Sequence, residues 1–88
     1  MEGIKRKVRY IIDGDTFAIS RKIGGIDRIR LAGINAPERY QFGGTKATNR
    51  LKELIGGKTV TIVPVARSYG RLVAEIRSNR KSINNRLR

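Results

Sequence analysis

The stretch TKATNRLKELIGG, residues 45–57, breaks the rhythm of the chain on either side of it. Ala47, Leu51, Leu54 and Ile55 recur at i, i+4, i+7 and i+8, with Lys46, Asn49, Arg50, Lys52 and Glu53 between them. That spacing predicts an amphipathic helix with one apolar face, ended by Gly56-Gly57. Elsewhere the period is two. Upstream, KVRYIID (7–13) and DTFAISRK (15–22) are strand-like and flank the turn signal Asp13-Gly14. The second run puts Asp15, Phe17 and Ile19 on one face and Thr16, Ala18 and Ser20 on the other. After Gly24-Gly25, Ile29 and Leu31 alternate with Arg28 and Arg30, and Pro37 ends the regular structure.

Downstream, KTVTIVPV (58–65) is a strand whose Pro64 predicts an edge or a bulge. RSYG (67–70) is a turn, and RLVAEIR (71–77) is a strand with Leu72, Ala74 and Ile76 on one face. The tail KSINNRLR (81–88) begins a second helix with Ser82 as its cap. Three strands, a helix and two strands predict a mainly β (α+β) fold. It is a small five-stranded Greek-key barrel of the oligonucleotide-binding (OB) kind, with one helix between strands 3 and 4. Closure suits a short chain because it removes sheet edges.

Composition narrows the chemistry. The 88 residues make a single domain, 1–88, with a thin core, since a chain of this size buries only roughly 60–65% of its unfolded surface. Cysteine and histidine are both absent, which excludes disulfides, thiolate or imidazole zinc sites and a histidine base. Twenty basic against seven acidic residues give a net charge of +13 and predict a polyanionic partner, with nucleic acid favoured. The plainer reading of that charge is solubility or a structural role of the ribosomal kind. No basic amphipathic helix and no apolar run near spanning length argue for a membrane. MEGIKRKV lacks the apolar stretch of a secretory signal, so a cytoplasmic location is expected.

Three segments carry candidate chemistry. Asp13 sits where a hairpin turn naturally places an aspartate, but Asp15 leans toward an apolar face, where a carboxylate is costly without a cation or several donors. Read from this stretch alone, a structural and a functional Asp15 are equally good. In RIRLAGINAPE (28–38), the bend at Pro37 can turn Asn35 and Glu38 toward one point. Oxygens from Asp15, Asn35, a backbone carbonyl and water are the set a hard cation such as Ca²⁺ takes. The plain alternative is an Asn-Ala-Pro turn with a surface glutamate. In YGR (69–71), Tyr69 can stack on a base or sugar and Arg71 can reach phosphate, although for the tripeptide alone a turn followed by a solvated arginine is the better reading.

Together these segments resemble the staphylococcal nuclease family. The match consists of DGDTFAI (13–19), ten residues, RLAGINAPE (30–38), GxxAxxxLxxLIxGKxV from Gly44 to Val60, YGRLVA (69–74) and SINNRL (82–87). It runs from about Val8 to Leu87 in the family's order. The resemblance implies a metal-dependent nuclease that hydrolyses DNA or RNA with little sequence specificity and leaves 3′-phosphate ends. It implies Ca²⁺ or another divalent cation on Asp15, Asn35 and the Ala36 carbonyl. It implies Glu38 as the residue that orients or deprotonates the attacking water, Arg30 and Arg71 as the phosphate grip, and Tyr69 as a nucleotide contact.

The departures from the family pattern matter as much. Asn35 is neutral where the family usually has a second metal-binding aspartate, so weaker metal binding is expected. Arg67 and Ser68 replace an acid and a lysine, and Phe17 replaces an aliphatic residue. The alternative implied is a non-catalytic OB-fold nucleic-acid-binding module with a degenerate metal site. In the family, further helices follow and help to form the substrate groove. Either this chain is a piece of a longer one, or a second copy or a partner covers the exposed barrel.

Overall fold

The computed structural model describes residues 3–88. Strands β1 (Ile4–Asp13), β2 (Thr16–Ile23) and β3 (Ile26–Leu31) form an antiparallel meander. Helix α1 (Gly44–Ile55) follows, then the hairpin of β4 (Thr59–Ser68) and β5 (Arg71–Ser78). β4 pairs with β1, and β5 runs parallel to β3 through Ile29–Leu31 and Leu72–Ala74. These two pairings close the sheet into the expected five-stranded barrel, with α1 between strands 3 and 4. A two-residue strand β6 (Lys81–Ser82) and a short helix α2 (Ile83–Leu87) complete the chain.

The barrel interior holds Val8, Ile11, Phe17, Ile19, Ile29, Leu31, Ile62, Leu72, Ala74 and Ile76, and α1 adds Leu51 and Ile55. Each large side chain of this kind contributes about 1.5–3 kcal/mol on full burial. The period of two fails at one instructive place. Val8 and Ile11 are both buried although three residues apart, because β1 bulges between Val8 and Tyr10. The extra residue resets the alternation and leaves Arg9 and Tyr10 both outward.

The expected alternation of β2 is also incomplete, since Thr16 and Ala18 are buried with Phe17 and Ile19. Ala18 lies opposite Tyr10 and Arg28, so two long side chains on the same face flank its methyl group. Asp15 belongs to the β1–β2 turn rather than to the strand. Pro64 marks a bulge, at the register shift between Pro64 and Ala66.

Helix α1 buries Gly44, Thr48, Leu51 and Ile55, with Leu54 partly buried against the core. Thr48 was not among the residues assigned to the apolar face from the sequence. Its hydroxyl donates to the Gly44 carbonyl at 2.8 Å and so needs no water. Ser82 caps α2 by accepting from the Asn85 N–H at 3.1 Å. The buried Asn84 then pins α2 to the barrel. Its amide donates to the carbonyls of Ala32 at 2.8 Å and Ala74 at 3.2 Å, while its oxygen accepts from the Ile76 N–H at 2.9 Å. No helix among the described residues is long and apolar enough to cross a membrane.

Candidate active site

The β1–β2 turn, the end of β3 and the loop before α1 meet at one place. Asp13 Oδ1 accepts from the Asp15 N–H at 3.2 Å, the side-chain turn expected of an aspartate there. Gly14 is required by contact rather than by its backbone angles. A Cβ on it would stand 2.6 Å from the Ala47 Cβ and 2.7 Å from the Ala36 Cβ. The turn is thus wedged between α1 and the loop, and Asp15 is carried inward to 6% exposure. The Leu31 N–H donates to the Asp15 carbonyl at 2.8 Å and ties the turn to the end of β3.

Three donors meet the Asp15 carboxylate. The Thr16 hydroxyl donates to Oδ1 at 2.8 Å, the Ala36 N–H to Oδ2 at 3.1 Å, and Arg30 Nη2 approaches Oδ2 at 3.4 Å. The same Nη2 donates to Asn35 Oδ1 at 3.0 Å. Glu38 is placed by its own loop. Its N–H donates to Gln41 Oε1 at 2.8 Å, and its carbonyl accepts from the Gln41 N–H at 2.9 Å. The loop can fold this tightly because Gly44 has no side chain; a Cβ there would fall 1.8 Å from the Glu38 carbonyl oxygen.

These groups line a polar cleft of about 510 Å³. Asp15, Arg30, Asn35, Ala36, Glu38 and Arg71, named as site residues from the sequence, all border it, joined by Asp13 and Gln41. Tyr69 does not. It sits at the tip of the β4–β5 hairpin with φ 52° and 96% exposure, two residues before Arg71. Asp13, read from the sequence as turn chemistry alone, also borders the cleft. Gln41 lay in an irregular segment without a periodic signal.

Burial acts most strongly on both aspartates and pushes both carboxyls up. For Asp13 it prevails, aided by a side-chain hydrogen bond with Asp15 and by that residue's charge, so its pKa lies above 3.8. For Asp15 it is outweighed by hydrogen bonds with Asp13, the Thr16 hydroxyl and the Ala36 N–H and by the Arg30 charge, so its pKa lies below 3.8. Asp15 therefore stays anionic at neutral pH.

The donors suit a hard cation in kind, being oxygen throughout. No group of three or more acidic, histidine or cysteine side chains among the described residues is arranged to hold a metal ion. Any such site must be mixed, with a carboxylate, an amide oxygen and backbone. Asp15 Oδ2 and Asn35 Oδ1 do converge on one positive centre, the Arg30 Nη2.

The model of the family described as staphylococcal nuclease homologue matches residues 28–87. The chain belongs to the staphylococcal nuclease family. This family member is 38% identical over 74 residues to an uncharacterized endonuclease of Escherichia coli, covering 83% of the chain and 48% of that relative. It is 35% identical over 94 residues to an uncharacterized protein of Bacillus anthracis, covering 96% of the chain and 44% of that relative. The chain thus spans about half the length of the curated relatives it matches.

Proposed function

We propose that this staphylococcal nuclease homologue is a divalent-cation-dependent phosphodiesterase that cleaves DNA or RNA with little sequence preference. The observation that supports it best is one cleft bordered by Glu38, Asp15 and two arginines in a chain of net charge +13. A cleft built only to bind a polyanion has no use for carboxylates, which repel phosphate.

In this reading Arg30 and Arg71 present guanidinium forks to the scissile phosphate, contacts that strengthen as charge builds on its oxygens. Glu38 accepts the proton of the attacking water. The water oxygen bonds to phosphorus and the bond to the 5′ oxygen breaks, leaving a 3′-phosphate and a 5′-hydroxyl. Asp15, Asn35 and the Ala36 carbonyl would hold a divalent cation, which supplies positive charge beside the phosphate. Arg30 must exchange its bond to Asn35 for one to phosphate as substrate arrives.

That bond favours a second reading. With Arg30 settled between Asp15 and Asn35, the cleft could serve as a non-catalytic grip on nucleic acid. Labelled single-stranded and duplex DNA and RNA, incubated with a Ca²⁺ titration and with EDTA, decide between the two. Nuclease action predicts metal-dependent fragments that block polymerase extension until a phosphatase removes the 3′-phosphate. Tight binding without cleavage at any metal concentration sinks the enzymatic reading.

A further inference from the structure

On the face between β1 and α1 lies a second groove, of about 520 Å³, which the sequence did not announce. Arg9 reaches it from β1, Lys52 from α1 and Arg39 from the loop before α1, and no acidic residue lines it. All three cations are exposed, and neither ion pair found among the described residues uses them. The β1 bulge explains how the groove is built. By turning two consecutive residues outward, it places Arg9 beside Tyr10, with the guanidinium 5.8 Å from the ring centroid.

The groove adjoins the catalytic cleft through a single short loop. Glu38 and Gln41 border the cleft, whereas Arg39, between them, lines the groove. On that loop Tyr40 is 95% exposed and Phe42 fully so. The chain has five aromatic residues, and only Phe17 is in the core. A thin core gains most from burying aromatics, so four left at the surface, three of them on the groove or the loop joining it to the cleft, call for another use. Sequence-tolerant stacking with nucleic-acid bases is the use that fits a chain of this charge.

We infer that the β1–α1 groove is a second binding site for single-stranded nucleic acid, taking the strand that runs on from the catalytic cleft over residues 38–42. Arg9, Arg39 and Lys52 contact its phosphates, and Tyr10, Tyr40 and Phe42 offer stacking faces. A single strand fits best because paired bases in a duplex cannot open onto aromatic rings. The inference rests on the proposed nuclease reading for the course of the strand but concerns separate residues.

The test uses an Arg9→Gln/Lys52→Gln double variant, with circular dichroism to check its fold. Binding is measured in EDTA to a labelled DNA strand of about 12 nucleotides, a length that extends beyond one cleft. Hydrolysis is measured with Ca²⁺ on a nitrophenyl ester of a mononucleotide, which reaches only the cleft. Affinity for the strand should fall about tenfold at ~0.1 M salt, and the logarithmic salt slope should become shallower by about 1.4, or about 0.7 for each lost phosphate contact. Ester hydrolysis should stay within about twofold of the parent protein, because the cleft is untouched.

Unchanged strand affinity and slope overturn the groove. An equal loss with a duplex of the same length overturns its preference for single strands. If the parent protein hydrolyses no ester, the nuclease reading fails, yet strand binding in EDTA still judges the groove. The chain has no tryptophan, so Phe42→Trp supplies a lone indole reporter. Its fluorescence should be quenched by the strand and not by inorganic polyphosphate. Absence of quenching by the strand rules out stacking at Phe42.

Discussion

Arg30 donates to Asn35 Oδ1 at 3.0 Å through the nitrogen that also approaches Asp15. The positive charge at the centre of the site is thus a tethered side chain, held partly by an amide where the family usually has a carboxylate. Asn35→Asp adds one formal negative charge to this mixed set. Calcium affinity without substrate, measured by calorimetry, should rise by at least about tenfold, since ligand charge sets the affinity of such sites. Unchanged or weaker binding would show that the added charge goes entirely to holding Arg30.

The buried Asn84 satisfies two carbonyls and one N–H with a single side chain. Asn84→Ala leaves the Ile76 N–H without its side-chain partner and removes a donor from the carbonyls of Ala32 and Ala74, the latter keeping its bond from the Ala32 N–H, at a cost of about 2–4 kcal/mol. In a domain of this size that corresponds to a fall in Tm of roughly 10–20 °C. Thermal unfolding followed by circular dichroism measures it. A shift of only a degree or two would mean that α2 does not anchor this end of the barrel.

The paired aspartates give stability a particular pH dependence. Asp13's folded pKa lies above 3.8, so as pH falls through that value the folded state takes up a proton sooner than the unfolded chain and gains stability. Asp15's folded pKa lies below 3.8, so its contribution is present above 3.8 and is lost as pH falls through the folded value. The pair thus adds a rise followed by a fall on acidification. Asp13→Asn should remove the rise and keep the fall, as read from urea midpoints across acid pH. A rise that persists in Asp13→Asn would assign it to another group.

The residues whose chemistry is local were legible in the sequence. Helix α1 followed from apolar spacing, the β1–β2, β2–β3 and β4–β5 turns from Asp-Gly, Gly-Gly and Tyr-Gly, and the cap of α2 from Ser82. Three-dimensional closure was not legible. The β1 bulge hid the fact that Val8 and Ile11 share the interior. The β5–β6 turn went unseen because it uses Asn79 and Arg80 at positive φ, 52° and 68°, without a glycine. Asn84 carried no signal of burial, because its partners are backbone groups of Ala32, Ala74 and Ile76 that only the fold brings to it. Within the site, the residue types were readable, but the Arg30 bond to Asn35 and the Asp13 contribution depend on how loop and turn meet.

Gly44 tests whether that loop geometry matters for catalysis. Its missing side chain lets the Glu38 carbonyl approach the first turn of α1. Gly44→Ala forces the two apart, costing about 1–3 kcal/mol of stability and moving Glu38. Activity per folded molecule should fall by about tenfold or more, since small displacements of catalytic groups are costly. Full activity in a folded Gly44→Ala protein would separate the loop from the chemistry.

The central claim is that Glu38 accepts a proton in phosphodiester hydrolysis. Single-turnover cleavage of a labelled DNA strand at saturating Ca²⁺, comparing the parent protein with Glu38→Gln, tests it most directly. The predicted result is a fall in rate of about 10²–10⁴ with strand affinity retained, the range lost when a positioned base is removed. Cleavage by Glu38→Gln at the parent rate, or no cleavage by either protein, would contradict it.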